Sequence, residues 1–166
     1  SKRFGANALA LPDGKVVITD DLVLALSDNP NAILAVLLHE IGHVEHKHTL
    51  KMVAQSVATS LFFSVYFGDI EGAGEVIIGA SSSLLQNAFS REMEQDADDF
   101  AFKYLEFLGI PTSAFADALE AIVQSSEKQK SNKEEVKNDG GVDLLHYLSS
   151  HPKTAERIKN ARQRDK

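Results

Sequence analysis

The segment HEIGH, at residues 39–43, places three groups that can do chemistry inside an apolar stretch. On a helix, His39 and His43 are four residues apart, so they lie on one face, about 6 Å from each other along the axis. Both imidazoles can therefore reach one tetrahedral zinc ion. Glu40 can reach a water molecule on the metal without being a ligand itself. The spacing predicts a zinc site with a general base beside it.

A simpler interpretation treats His39 and His43 as buried histidines that are hydrogen-bonded to backbone carbonyls. Carbonyls inside a helix already accept helical hydrogen bonds, so this interpretation needs partners elsewhere. A third histidine ligand six residues after His43 is excluded because that position is Thr49. His46 and His48 are expected to be solvated histidines at the helix end, although His46 lies within one turn of His43.

A third ligand is predicted in SREMEQDAD, at residues 90–98. Glu94 and Asp98 are four residues apart, hence on one face of a helix. Glu94 is the candidate third ligand, and Asp98 can accept a hydrogen bond from the free N–H of a zinc-bound histidine. The neighbouring acidic residues are expected to be solvated: Glu92, Asp96 and Asp99. A solvated acidic face remains the alternative for the whole group, because spacing alone does not exclude it.

The elements that must position these residues are mostly helical. A strand–turn–strand unit is predicted over 7–11, 12–14 and 15–19. Asp20 or Asp21 is predicted to cap a short helix that runs through Ser27. Further helices are predicted from Pro30 past Leu50, over 90–108, from Thr112 or Ser113 to about Gln124, and from Thr154 onward. Residues 53–89 are predicted to form two helical segments separated by a loop at 68–75. Buried core is preferred over a membrane-facing hairpin for 53–85. Residues 125–141 are predicted to form a mobile loop.

Composition excludes several classes of function. The net charge is −7 and the pI is about 5.3, without a basic patch, which argues against binding to nucleic acid or to an anionic membrane surface. The chain has no cysteine, so disulfides and cysteine-based zinc sites are excluded. The most apolar run, 57–67, is shorter than the roughly 20 residues that cross a bilayer.

Four segments together resemble the M48 peptidases, the group that contains HtpX-type and Ste24-type zinc proteases. They are NALALPDGKVVITDDLV, HEIGH, NAFSREMEQDAD and SSHPKTAERI, and they cover nearly the whole chain. The resemblance implies an α+β, mostly α, zincin-like fold of the gluzincin type, with residues 1–166 as one domain. It implies one Zn²⁺ per chain, bound by His39, His43 and Glu94, with Asp98 supporting a ligand.

The resemblance also implies roles for residues that the pattern alone would not single out. His151 would approach the substrate carbonyl oxygen, and Arg157 would support that side of the cleft. Val17 belongs to the strand that would line the cleft. The alternatives are a turn histidine, a surface arginine and an ordinary paired strand. Arg91 is expected to be either an ion-pair partner or a site residue, and the sequence does not distinguish them.

The activity implied is zinc-dependent hydrolysis of peptide bonds in unfolded or misfolded proteins, with Glu40 as general base. An extended substrate would add to a strand edge through backbone hydrogen bonds. The alternatives are a non-catalytic, chaperone-like peptide-binding module with a zinc site, and a purely structural zinc. Only catalysis needs Glu40, so its presence favours the enzyme. The resemblance further implies that this is a piece of a longer protein that associates with a membrane through other segments. The domain is expected on the extracytoplasmic (periplasmic) side, with the cytoplasmic side kept open.

Overall fold

The computed structural model describes residues 5–67, 88–133 and 146–165. Within these ranges it contains strands β1 (Ala8–Ala10) and β2 (Val16–Ile18) and helices α1 (Asp20–Ala25), α2 (Pro30–Glu45), α3 (His48–Phe67), α4 (Arg91–Phe107), α5 (Ser113–Lys133), α6 (His146–Ser150) and α7 (Thr154–Arg164). The described part of the chain is therefore mostly helical with a small sheet, as predicted.

The two strands form an antiparallel hairpin, in which Leu9 lies opposite Val17. The Pro-Asp-Gly turn joins them, and Gly14 has a φ of 86°, which glycine adopts without strain. The prediction that Asp20 or Asp21 caps the first helix is wrong. Thr19 is the cap, and its hydroxyl oxygen accepts a hydrogen bond from the Leu22 backbone N–H at 3.3 Å.

Helix α2 begins as predicted but ends early. The Asn29 side chain accepts a hydrogen bond from the Ala32 N–H at 3.1 Å, with Pro30 in the first turn. The helix ends at Glu45 instead of continuing past Leu50, because Lys47 turns the chain with a left-handed φ of 55°. The apolar pattern continues across this corner, so it does not indicate where the helix ends.

Helix α2 packs most extensively against α4, and this contact brings the two halves of the site together. Gly42 makes the close approach. A Cβ atom at this position would lie 2.9 Å from the Ala97 Cα and 3.1 Å from the Phe100 Cβ, closer than backbone and core atoms can tolerate. The glycine of HEIGH therefore lets the helices approach until the α2 histidines face the acidic side of α4.

Helix α7 is anchored at its C-terminus. The Asp165 carboxylate accepts hydrogen bonds from the backbone N–H of Thr112 at 2.6 Å and of Ser113 at 2.8 Å, so it closes the start of α5. The prediction that α5 ends near Gln124 is wrong, since the helix continues to Lys133. Residues 125–133 of the predicted mobile loop are thus helical, while 134–141 lie outside the described residues.

More than half of the residues of helix α3 are exposed. Large apolar side chains near its C-terminus are exposed, from 42% at Leu61 to 74% at Val65. The preferred interpretation of this segment as buried core is wrong for these residues, because the core lies between α2, α4 and α5, around Val36, Leu105 and Phe115. The predicted loop at 68–75 and most of the second helical segment lie outside the described residues. None of the helices described is both long enough and apolar enough to span a membrane.

Candidate metal and catalytic centre

Four side chains direct nitrogen or oxygen atoms at one point between α2, α4 and the turn after α6. The Nε2 atoms of His39 and His43 are 3.0 Å apart, and Glu94 Oε1 lies 3.4 Å from Nε2 of His43. His151 Nδ1 lies 3.2 Å from His39 Nε2 and 2.9 Å from Glu94 Oε1. Donors of a tetrahedral zinc with 2.0–2.1 Å bonds are about 3.3 Å apart. The residues present therefore fit a zinc ion.

The electrostatics keep these donors in the forms that bind a cation. Burial lowers the pKa of His43 to about 4 and lowers the pKa of His39 well below the usual range, so both rings are neutral near pH 7. Burial alone would raise the pKa of Glu94. The charge and hydrogen bond of His151 outweigh that effect and lower it, so Glu94 is ionised. Neutral imidazoles and a carboxylate are the donors that zinc requires.

Glu40 lies beside this donor set and is completely buried. Its Oε1 is 3.5 Å from His151 Nε2, and neither of its carboxylate oxygens has a hydrogen-bond partner of good geometry among the described residues. Burial raises the pKa of Glu40, while the charge of His151 opposes that rise. Burying a carboxyl group without well-formed hydrogen bonds costs free energy. The position of Glu40 therefore indicates a role in function rather than in packing.

The outer nitrogen of His39 faces a buried ion pair. His39 Nδ1 lies 2.9 Å from Asp98 Oδ1, and Arg157 donates to both carboxylate oxygens of Asp98 at 2.7 and 2.8 Å. The third guanidinium nitrogen of Arg157, Nη1, lies 2.5 Å from Glu94 Oε2. Arg157 is buried, so the interpretation of it as a surface arginine is wrong. The last helix thus holds two residues of α4 in register with the α2 histidines.

Comparison with known proteins gives the same family as these residues do. The model of peptidase family M48 matches residues 1–165. The chain belongs to peptidase family M48. It is 31% identical over 157 residues to the mitochondrial metalloendopeptidase OMA1 of Saccharomyces cerevisiae, covering 93% of this chain and 42% of the relative. It is also 30% identical over 162 residues to the metalloprotease YcaL and 26% identical over 166 residues to the metalloprotease LoiP, both of Escherichia coli.

Each of these two bacterial matches covers 95% of this M48 chain and 58% of the relative. The chain therefore spans about half the length of the curated relatives that it matches. No solved structure matches it significantly.

His151 is placed by its neighbours. Its backbone N–H donates to the Tyr147 carbonyl at 2.9 Å, and its ring stacks on the Tyr147 ring, with centroids 4.5 Å apart. The Phe89 N–H donates to the Ser150 carbonyl at 3.0 Å, which ties the start of α4 to the end of α6. A turn histidine would be exposed, but His151 is buried among the donors. The charges of Glu94 and Glu40 overcome the effect of burial and raise its pKa.

The prediction that His48 is solvated is wrong. His48 is buried, and its Nδ1 lies 3.0 Å from His43 Nδ1. Burial lowers its pKa, and the nearby charge of His46 acts in the same direction. The early end of α2 causes the error, because the corner at Lys47 returns His48 to the face that carries His43. A five-residue separation within one continuous helix would have given little indication of this contact.

Two other residues considered from the sequence, Val17 and Arg91, lie at the periphery of the site. Val17 is 41% exposed on β2, and β1 packs more extensively against α2 than β2 does. The backbone amide of Ala10, in β1, exerts a small lowering effect on the pKa of Glu40. Arg91 is exposed and forms an ion pair with Glu156 at 2.7 Å, so its ion-pair interpretation is confirmed. Among the acidic residues of α4, Glu92, Asp96 and Asp99 are exposed, as predicted.

Proposed function

We propose that this chain is the catalytic domain of a zinc-dependent metalloendopeptidase. His39, His43 and Glu94 would hold the zinc ion, with Asp98 orienting His39. The convergence of these donors at tetrahedral spacing supports the proposal, as does membership of the M48 family. When bound, zinc lowers the pKa of water and polarises a carbonyl group. Residues 1–166 are proposed to form one domain of zincin-like, gluzincin type.

Glu40 is the observation that carries the catalytic interpretation. It lies next to the donors but is not one of them, and among the described residues its oxygens have no hydrogen-bond partner of good geometry. A group in this position can take a proton from the attacking water and pass it to the leaving amine. A site that only binds metal or peptide has no use for this buried carboxyl group.

His151 fits two roles that lead to different functions. As a proton-bearing ring beside the site, it would stabilise the oxygen that becomes negative when the carbonyl is attacked. Its Nδ1 also lies within the donor set, and four protein donors are typical of a closed, structural zinc site. The second arrangement favours the alternative function, a non-catalytic peptide-binding module with a zinc site.

The substrates proposed are unfolded or misfolded polypeptides bound in extended form. Among the described residues the hairpin is a two-stranded sheet, so each strand has one edge that no strand covers. An extended chain can add there through backbone hydrogen bonds, which are tolerant of side-chain identity. Val17 is proposed to lie along such a peptide, and Arg157 would act by holding Asp98 and Glu94. Membrane association through other segments, on the extracytoplasmic side, belongs to the same proposal.

The Glu40→Gln variant tests the enzyme directly. It should bind zinc as the wild type does but cleave a casein-like unfolded substrate about 10²–10⁴-fold more slowly, because the general base is lost. Glu45→Gln is the matched control, since it removes the same charge from an exposed position of α2. Cleavage by Glu40→Gln at the wild-type rate would exclude the proposed mechanism.

The His151→Ala variant separates the enzyme from the binding module. The enzyme is expected to keep one zinc ion in this variant and to lose most of its activity. A structural site is expected to lose zinc when the fourth donor is removed, and the wild-type chain would then show no chelator-sensitive cleavage. Zinc content and cleavage are measured on the same preparations.

A further inference from the structure

A second group of metal-binding side chains lies at the corner between α2 and α3. Lys47 has a left-handed backbone there, with a φ of 55°. This corner sets the rings of His46 and His48 side by side, with centroids 5.4 Å apart and planes 15° from parallel. The corner therefore places two imidazoles side by side.

Asp96 supplies a third donor from α4. Its Oδ2 lies 3.6 Å from His48 Nε2, and one donor atom from each of the three residues lies within 4.8 Å of the other two. The buried site described above uses different residues, so the two groups share no donor. Asp96 is 56% exposed and His46 is half-buried, so an ion can reach this corner from solvent.

We propose that His46, His48 and Asp96 bind a second divalent transition-metal ion. Two imidazoles and one carboxylate suit zinc and also copper or nickel, whereas calcium and magnesium prefer oxygen donors alone. The donor atoms are further apart than in a closed tetrahedral site. Asp96 is on the surface and can turn toward the rings, and water can fill the remaining positions of the ion.

His48 of the corner group contacts His43 of the buried donor group. His48 faces Asp96 with Nε2, while its Nδ1 lies 3.0 Å from His43 Nδ1. An ion at the corner would therefore be separated from the buried donors by the rings of His48 and His43. The corner site does not depend on the proposed peptidase activity, because none of its three donors is a proposed ligand of the buried zinc ion or a proposed proton carrier.

Zinc titration of the full chain, preloaded with one equivalent of zinc, tests the proposal. We expect the wild type to bind a second equivalent. His46→Ala should keep the first equivalent and bind the second more than about tenfold more weakly, since losing a donor costs at least as much as losing an outer partner of a ligand. Asp96→Asn should weaken the second equivalent in the same direction. Glu92→Gln, which removes a charge from the same helix outside the group, should leave it unchanged.

Two results would overturn the proposal. One is a wild-type chain that binds only one equivalent at millimolar zinc. The other is a second equivalent that binds with equal affinity to wild type and Asp96→Asn, a surface variant that is expected to fold normally. Neither result bears on cleavage of a substrate, so the proposed peptidase function succeeds or fails separately.

Discussion

The outer nitrogens of the two α2 histidines are supported in different ways. On one side, His39 Nδ1 faces Asp98, which is locked by two hydrogen bonds from Arg157 and is buried. On the other side, His43 Nδ1 faces the ring of His48, which in turn faces the exposed carboxylate of Asp96 at 3.6 Å. The first support is ionic and comes from α4 and α7. The second is a neutral ring five residues away in sequence.

This difference indicates which side is rigid and which can adapt. A buried, doubly hydrogen-bonded ion pair fixes a ligand strongly, and removing one partner leaves an unpaired buried charge. The buried, neutral ring of His48 offers His43 one hydrogen-bond acceptor without a charge, which is the weaker support. We therefore expect changes on the His39 side to be more damaging than changes on the His43 side.

The largest effect is expected for Arg157→Met. It would leave Asp98 without its cation and Glu94 with His151 alone, so the metal-free chain should lose about 3–5 kcal/mol of its free energy of unfolding. Urea denaturation measures this loss. Arg162→Met is the control, because Arg162 forms only exposed ion pairs with Asp117 and Glu120 and should lose about 1 kcal/mol or less. Equal losses in the two variants would contradict the importance of the buried ion pair.

Asp98→Asn should weaken zinc binding by about 10–100-fold, because His39 loses the carboxylate that orients it. Competition with a chelator of known affinity measures the change. Asp99→Asn is matched in chemistry and lies on the same helix, but its carboxylate is exposed and pairs with Arg164 at 2.9 Å. A wild-type affinity in Asp98→Asn would show that the His39 side is not a functional support.

His48→Ala is expected to weaken zinc binding by about tenfold, the lower end of the range for partners of a ligand. His48→Gln should recover part of the loss, because its amide oxygen can accept the hydrogen bond from His43 Nδ1. The same chelator competition reports both variants. A loss as large as that of Asp98→Asn would show that the two sides support their ligands equally.

The smallest effect is expected from excess zinc, and it depends on both the proposed peptidase activity and the proposed corner site. Zinc at the corner would occupy His48 Nε2 and leave the ring hydrogen on Nδ1, facing the Nδ1 hydrogen of a zinc-bound His43. His43 would lose its acceptor, so excess zinc should slow cleavage of an unfolded substrate by up to about tenfold. His46→Ala should be less sensitive to excess zinc. Equal inhibition of the variant and the wild type would place the inhibitory ion elsewhere.

Local patterns predicted those parts of the site that lie within a single helix. The four-residue spacings of His39 with His43 and of Glu94 with Asp98 predicted which side chains share a face. In the structure the two histidine rings are in contact, and Arg157 contacts both carboxylates. His48 could not be placed in this way, because its burial depends on a corner at Lys47 that the apolar pattern does not mark. The exposure of α3 was also missed, since an apolar segment does not reveal what it packs against.

The amino-acid sequence by itself determined the donor types, their helical spacing and the glycine that permits close packing of two helices. These are local properties, which follow from helix geometry and side-chain chemistry. Only the tertiary structure decided that Arg157 is buried, that His151 lies among the donors and that His48 contacts His43. Each of these contacts joins separately formed segments, and their burial and ion pairing depend on how α2, α4, α6 and α7 pack around one point.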